Sequence, residues 1–144
     1  MNIAEIQNIY ARHFYDRFIA TSNTQKGYIP TGRISFDSTE FDYLGNFEHS
    51  TGIFTASRDG LHAFFFSGYL ADSDHLRLDI FLNGVLNQYI YRVDVDSGDH
   101  GQVTFWWTMN MKKGDEVYLS NYYSNSLFVS DDHNRMYYMG YYVD

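Results

Sequence analysis

Residues 75–84, which read HLRLDIFLNG, contain the pattern that decides the fold class. A large aliphatic side chain stands at every second position: Leu76, Leu78, Ile80 and Leu82. This period of two is typical of a β-strand with one buried face. The run ends at Asn83-Gly84, a dipeptide that favours a tight hairpin turn because both residues tolerate a positive φ. The stretch therefore predicts a strand on an apolar core, followed by a sharp reversal of the chain.

Three other segments alternate in the same way: RISFD (33–37), LHAFFF (61–66) and QVTFWWTM (102–109). In the second segment the alternation predicts that Leu61, Ala63 and Phe65 face the core, which places His62 on the exposed face. Glycines accompanied by Asn, Asp or Ser separate the segments and supply turns. Short strands separated by turns at intervals of roughly 8 to 12 residues predict an antiparallel all-β sandwich or barrel.

The aromatic content of the chain exceeds the need of a small core. The 144 residues suit a single domain. They include 14 Tyr and 12 Phe, and aromatic residues make up 19% of the chain. Such side chains are favoured where subunits or ligands bind, because they offer a large contact area and, in Tyr, a polar group. The surplus predicts aromatic surfaces that contact a partner.

Charge and motif content argue against several functional classes. A net charge of -8 repels nucleic-acid phosphates. No apolar run approaches the length of a membrane-spanning helix, and the charged residues Glu5, Arg12, Asp16 and Arg17 argue against a signal peptide in the sequence as given. There is no cysteine, so disulfides and thiolate chemistry are excluded. The six histidines lack metal-ligand spacing, and no nucleophile elbow or phosphate-binding loop is present. We therefore expect that the protein is not an enzyme and that it requires no cofactor. His62 and His75 are expected to be surface residues, and a role as a pH sensor is the alternative.

Six motifs follow one another in a recognisable order along the chain. Gly45 and Phe47 come before a T-G-x-F-T segment, a strand that opens on Gly, a strand that ends in Asn-Gly, a Gly-Asp-x-Val segment and an aromatic C-terminal strand. These five segments are residues 51–55, 60–64, 78–84, 114–119 and 138–141. In this order the motifs resemble the globular head domain of complement component C1q, within the tumour necrosis factor-like superfamily.

The resemblance covers residues 12–144, after a short lead-in of residues 1–11 that we expect to be helical or frayed. It departs from the family at Ser57, where a proline is usual, and at His62, where a tyrosine is usual. It implies a ten-stranded antiparallel jelly-roll sandwich that assembles as a compact homotrimer and is secreted. The collagen-like stalk typical of the family is absent from this sequence.

Three segments predict where subunits would meet, because they are apolar or aromatic on both faces of a strand. They are YIYRV (89–93), FWW (105–107) and MYYMGYYV (136–143). Both faces of such strands have to be covered, although burial within one subunit is the alternative for the last segment. The predicted interface residues are Tyr89, Tyr91, Phe105, Trp107, Tyr138 and Tyr141.

The acidic loop VDVDSGDHG (93–101) is the candidate metal site. Asp94, Asp96 and Asp99 offer closely spaced carboxylates, which hard cations such as calcium require. Several members of the resembled family bind calcium near the trimer apex with aspartates from the corresponding loop. A solvated acidic turn is the alternative.

Two functions remain open for such a domain. One is recognition, in which the loops of a soluble homotrimer bind glycans, microbial surfaces or proteins, as the immune and lectin-like members of the resembled family do. The other is assembly of an extracellular matrix or a secreted material. Aromatic side chains near turns favour recognition because they offer stacking surfaces. The predicted ligand-binding residues are Tyr43, Tyr122, Tyr123 and Phe128.

Overall fold

The computed structural model describes residues 1–7, 16–22, 27–70, 75–93, 101–124, 126–129 and 135–144. Thirteen strands occur in these ranges. They are β1 Arg17–Ser22, β2 Gly27–Tyr28, β3 Gly32–Arg33, β4 Ser38–Asp42, β5 Phe47–Glu48, β6 Ile53–Thr55, β7 Gly60–Leu70, β8 His75–Leu82, β9 Val85–Val93, β10 Gly101–Met111, β11 Glu116–Asn121, β12 Phe128–Val129 and β13 Met136–Tyr142.

The strands form two large antiparallel sheets that pack face to face. One sheet has the order β10-β7-β13-β1-β4, and the other has the order β5-β6-β11-β8-β9 with β3 also paired to β11. Strands β2 and β12 form a small separate pair. The prediction of an all-β jelly-roll sandwich is confirmed. The thirteen strands exceed the ten expected, and four of the thirteen, β2, β3, β5 and β12, are pairings of only two residues each.

The hairpin predicted at Asn83-Gly84 joins β8 to β9. Both turn residues have positive φ, 51° and 80°, and Leu82 pairs directly with Val85, as in a two-residue hairpin loop. The Asn83 side chain fixes this turn to the neighbouring strand: its Oδ1 accepts from the Glu116 N–H at 2.8 Å, and its Nδ2 donates to Asp115 Oδ1 at 3.0 Å. The latter bond is the main reason why the pKa of Asp115 is lowered.

The core lies between the two large sheets and is rich in aromatic rings. Tyr138 of β13 is completely buried, with ring centroids 5.0 Å from Phe18, 5.6 Å from Phe36 and 5.8 Å from Phe47. The inward-facing aliphatic side chains of β8 complete the opposite wall, as the alternation predicted: Leu76, Leu78 and Ile80. Much of the aromatic surplus is therefore used inside the chain.

In strand β7 the alternate side chains that face the core are not the predicted ones. His62, Phe64 and Phe66 face the core, whereas Phe65 is only half-buried on the outer side. The prediction that His62 is exposed was wrong, since its side chain is fully buried. The phase was ambiguous because β7 lies between β10 and β13 and carries apolar residues on both faces.

The lead-in contains a short helix over residues 3–7. Asn2 caps it, because its Oδ1 accepts from the Glu5 N–H at 2.8 Å. Across the described ranges, no helix has the length and apolar character needed to cross a membrane.

Candidate functional site

A cluster of exposed aromatic side chains surrounds Arg77 on the outer surface of the six-stranded sheet. Leu76 and Leu78 point into the core, so Arg77 and Asp79 project from the opposite face of β8. We call this cluster the tyrosine face. It consists of His75, Arg77, Asp79, Tyr89, Tyr91, Tyr122 and Tyr123.

Strand pairing brings the members of the tyrosine face together. Across the β8–β9 ladder, Tyr89 stands opposite Asp79, and Tyr91 stands opposite Arg77. On the other side β11 pairs with β8, and the Tyr122 N–H just beyond its end donates to the Arg77 carbonyl at 3.1 Å. Arg77 therefore lies between aromatic residues from both neighbouring strands.

The Arg77 guanidinium lies against two tyrosine rings. Its Cζ is 4.3 Å from the ring centroid of Tyr89 and 4.4 Å from that of Tyr122, which is cation–π distance. Its Nε donates to Asp79 Oδ1 at 2.6 Å, and this bond is the main reason why the pKa of Arg77 is raised. The side chains of Arg77 and Asp79 are 24% and 10% exposed, so the ion pair is largely shielded and holds the two rings in place.

A second aromatic pair lies beside this arrangement. Burial raises the pKa of Tyr91, and its interaction and hydrogen bond with Tyr123 raise that pKa further. The rings of Tyr122 and Tyr123 meet edge to face at 5.0 Å. The His75 ring is 6.1 Å from Tyr91 and 6.0 Å from Tyr123. These contacts join the four tyrosines into one continuous surface.

Three of the four tyrosines retain large exposed areas: Tyr89 (57%), Tyr91 (47%) and Tyr122 (52%). Surface aromatic groups of this kind, fixed by packing and combined with a few polar groups, are typical of ligand or protein contacts. The tyrosine face can stack against a ligand and can also donate and accept hydrogen bonds.

The predicted ligand-binding residues divide between three places. Tyr122 and Tyr123 belong to the tyrosine face. Tyr43, 63% exposed, lies in a turn after β4 of the other large sheet, and Phe128 packs against Tyr28 at 5.4 Å in the β2–β12 pair. Arg77 was not predicted as a site residue, because its only signal in the sequence is its position within a strand beside tyrosine-rich segments.

The opposite outer surface, on the five-stranded sheet, carries a row of apolar residues. Successive cross-strand pairs join one residue from each strand of this sheet. We call them the apolar row: Trp106, Phe65, Met139, Ile19 and Phe41. The Trp106 side chain is 74% exposed, and the nearby Tyr141 is 49% exposed. The apolar row and the tyrosine face are thus on opposite sides of the sandwich.

The predicted interface residues do not form one surface. Tyr141 lies beside the apolar row, Tyr89 and Tyr91 belong to the tyrosine face, and Phe105 packs partly against the core. Trp107 and Tyr138 require a correction, because they are 6% and 0% exposed within the single chain. Both side chains point into the core between the two sheets, so they have almost no surface left for a second subunit.

A buried polar cluster connects β1, β7 and β13 near one end of the sandwich. Asp16 Oδ2 accepts from Ser57 Oγ at 3.0 Å and from Arg58 Nε at 3.2 Å. The Arg58 Cζ lies 3.3 Å from the Tyr142 ring centroid. His62 Nδ1 donates to the Gly60 carbonyl at 3.1 Å, and burial lowers the pKa of His62. A neutral imidazole is therefore favoured at this position.

The candidate calcium ligands Asp94, Asp96 and Asp99 lie outside the described residues. Within the part of the chain that is described, no group of three or more His, Asp or Glu side chains is placed to hold a metal ion.

Comparisons with known proteins agree with the fold. The family model of the C1q domain matches residues 17–143 of this chain. Complement C1q tumor necrosis factor-related protein 2 of Mus musculus is 34% identical over 98 residues, which are 66% of this chain and 32% of that protein. The match thus spans about a third of that relative's length. The globular domain of zebrafish complement 1qA protein aligns with a TM-score of 0.71 and 17% identity, over 90% of this chain and 98% of that chain.

Proposed function

The chain belongs to the C1q domain family, and from this premise we propose that it is a non-enzymatic recognition module that forms a homotrimer and binds an extracellular ligand through the tyrosine face. The ligand is a glycan, a microbial surface or a protein. The observation that carries the proposal is the exposure of Tyr89 and Tyr122, whose rings pack against a shielded Arg77–Asp79 pair. Rings fixed in advance lose little conformational freedom when a ligand binds.

The proposed binding surface differs from the loops favoured by the sequence. Most of the tyrosine face is built on the regular strands β8 and β9. A binding group on a rigid strand keeps its geometry better than one on a loop. The recognition surface is therefore on a sheet.

The apolar row is the proposed contact between subunits. Five apolar side chains in one cross-strand row, beside the exposed Tyr141, make a surface that a second copy of the chain would cover. Because the tyrosine face lies on the opposite side, a trimer built on the apolar row presents three copies of it outward. Simultaneous engagement of several copies raises the overall affinity for a repetitive surface.

The second candidate function is assembly of a matrix or secreted material. The 74% exposure of Trp106 supports it, since the apolar row alone would serve that purpose. The two functions differ in what they require of the tyrosine face: recognition needs it, and assembly through the apolar row does not.

Binding arrays test the proposal. The wild-type protein, the double variant Tyr89→Ala/Tyr122→Ala and the control variant Tyr28→Ala are applied to immobilised glycans, bacterial cells and extracellular proteins. We expect binding by the wild type and by Tyr28→Ala, and loss of binding by the double variant. Absence of any binding by the wild type, or equal binding by the double variant, would contradict the proposed role of the tyrosine face.

A further inference from the structure

We infer that the tyrosine face takes a neutral carbohydrate, with a pyranose ring stacked on the exposed sides of Tyr89 and Tyr122 and its hydroxyl groups bonded to Arg77 and the phenol oxygens. This inference rests on the proposed recognition function and names the class of ligand for that site. It follows from three properties of the cluster: what already occupies the space between its rings, its charge, and the kind of hydrogen-bonding groups it offers.

The space next to the two rings is already filled by a cation. The Arg77 guanidinium lies within 4.3 Å of Tyr89 and 4.4 Å of Tyr122, where an external ammonium group would otherwise be attracted. A cation on one side of an aromatic ring also draws electron density away from the other side. A second cation on the exposed side is therefore disfavoured, so a basic peptide or a methylated amine is not the ligand that fits.

The charges of the site disfavour a strongly anionic ligand as well. Asp79 accepts from Arg77 at 2.6 Å and neutralises most of its charge locally. The chain as a whole carries a formal charge of -8, which repels anions at long range. A neutral ligand is left as the best electrostatic match.

The polar groups suit a ligand rich in hydroxyl groups. Arg77 is 24% exposed and has further N–H donors beyond the Nε that bonds Asp79. The phenol oxygens of Tyr89 and Tyr122 can both donate and accept. A pyranose has a flat C–H surface for the rings and equatorial hydroxyls at its edge, and thus matches aromatic surfaces bordered by planar polar groups.

An extended peptide fits this surface less well. Peptides that lie along a sheet gain most of their affinity from main-chain hydrogen bonds at an edge strand. Arg77 is on β8, which is paired on both sides by β9 and β11, whereas β9 is the edge strand among the described strands of this sheet. A peptide paired along the edge of β9 would lie beside Tyr89 and Tyr91 and would not reach across β8 to Tyr122. A proline-rich peptide, which needs fewer such bonds, is the competing occupant that the experiment has to separate.

Saturation-transfer difference NMR on the whole protein tests the inference. The neutral probes are the methyl glycosides of glucose, galactose and mannose; N-acetylneuraminic acid is the anionic probe, and a proline decapeptide is the peptide probe. We expect transfer to ring C–H protons on one side of at least one neutral sugar. Removal of either ring, in Tyr89→Ala or Tyr122→Ala, is expected to weaken that binding roughly tenfold. Tyr28→Ala, which removes an exposed tyrosine of the separate β2–β12 pair, should leave it unchanged.

Arg77→Lys tests the hydrogen-bonding role. Lysine retains the positive charge but lacks the planar group that contacts both rings, so weaker sugar binding is expected. If this variant also lowers the thermal midpoint, the two tyrosine variants still decide the question, because their side chains are more than half exposed.

The possible outcomes separate the inference from the proposed function. Binding of only the anionic probe or only the peptide, with loss in the tyrosine variants, would overturn the neutral-sugar inference while supporting recognition by this face. Sugar binding that the tyrosine variants leave unchanged would overturn the inference as to site. If none of the probes binds and the arrays also show no dependence on Tyr89 and Tyr122, both proposals fail.

Discussion

His62 stands directly opposite Tyr142 across the β7–β13 ladder, and their rings meet edge to face with centroids 5.3 Å apart. The imidazole is fully buried and also lies 5.8 Å from the Phe54 ring. Asp16 and Arg58 are the charged groups that act on it, with Asp16 raising and Arg58 lowering the pKa of His62. Burial, which lowers the pKa of His62, outweighs the opposing effects of the Gly60 hydrogen bond and Asp16, so the folded chain holds a histidine whose pKa is lowered.

This arrangement predicts that the protein loses stability in mild acid. Since the pKa of His62 is lower in the folded state than in the unfolded state, stability is complete above the unfolded value of about 6.5 and falls as pH drops below it. We expect the urea midpoint to decrease between pH 7.5 and 5.5. His62→Phe should reduce that decrease, whereas His75→Gln, which alters an exposed histidine, should retain it. Equal pH dependence in the wild type and His62→Phe would contradict this role of His62.

Tyr138 carries a buried hydroxyl that has no hydrogen-bond partner among the described residues. Burial of this group raises the pKa of Tyr138. An unpaired buried hydroxyl is costly, so Tyr138→Phe should keep the free energy of unfolding unchanged or raise it by up to about 1 kcal/mol. Tyr138→Ala should lower it by roughly 3–5 kcal/mol, because it leaves a cavity among the core rings. Urea denaturation measures both, and clear destabilisation by Tyr138→Phe would indicate a partner for the hydroxyl.

Gly52 and Gly45 have nearly the same φ angle but different surroundings. Their φ angles are 72° and 69°. A methyl group on Gly52 would overlap the Ile34 carbonyl oxygen, whereas nothing lies within 4 Å of one on Gly45. Gly45→Ala should therefore cost only the strain of positive φ, about 1–2 kcal/mol, and Gly52→Ala clearly more. Equal losses of unfolding free energy would show that the close approach at Gly52 relaxes easily.

The fold was predictable where one face of a strand is clearly apolar. In β8 the alternation assigns Leu76 and Leu78 to the core, and Asn83-Gly84 ends the strand, so local residues determine the hairpin. In β7 both faces carry apolar residues, and which face is turned to the core depends on pairing with two distant strands. The sequence therefore could not show that His62 is buried.

The candidate site was predictable only in part, for a related reason. Tyr122 and Tyr123 attract notice as aromatic residues near a turn. The role of Arg77 depends on the register that places it opposite Tyr91 and next to the end of β11, and such long-range pairing is not encoded in any short motif. The burial of Trp107 and Tyr138 likewise depends on how the two sheets pack.

The calcium hypothesis for Asp94, Asp96 and Asp99 has a direct test. If carboxylates from three subunits converge, their repulsion destabilises the trimer until a cation binds. The thermal midpoint should then rise by several degrees in millimolar calcium and fall with a chelator, because a ligand that binds only the folded state stabilises it. Replacement of all three by Asn should remove the response. A thermal midpoint that changes with neither calcium nor chelator would identify the loop as a solvated turn.

Assembly through the apolar row predicts that charge placed on this surface separates the subunits. Tyr141→Asp and Met139→Glu each put a carboxylate on the outer side of β13, and an unpaired charge buried in an interface costs several kcal/mol. The free chain should remain folded, because Tyr141 is 49% exposed and the core side of β13 is unchanged. Light scattering at micromolar concentration should report three chains per particle for the wild type and one for these variants. Tyr89→Asp, on the opposite surface, should remain trimeric; its dissociation, or a soluble monomeric wild type, would mean that the apolar row is not the contact between subunits.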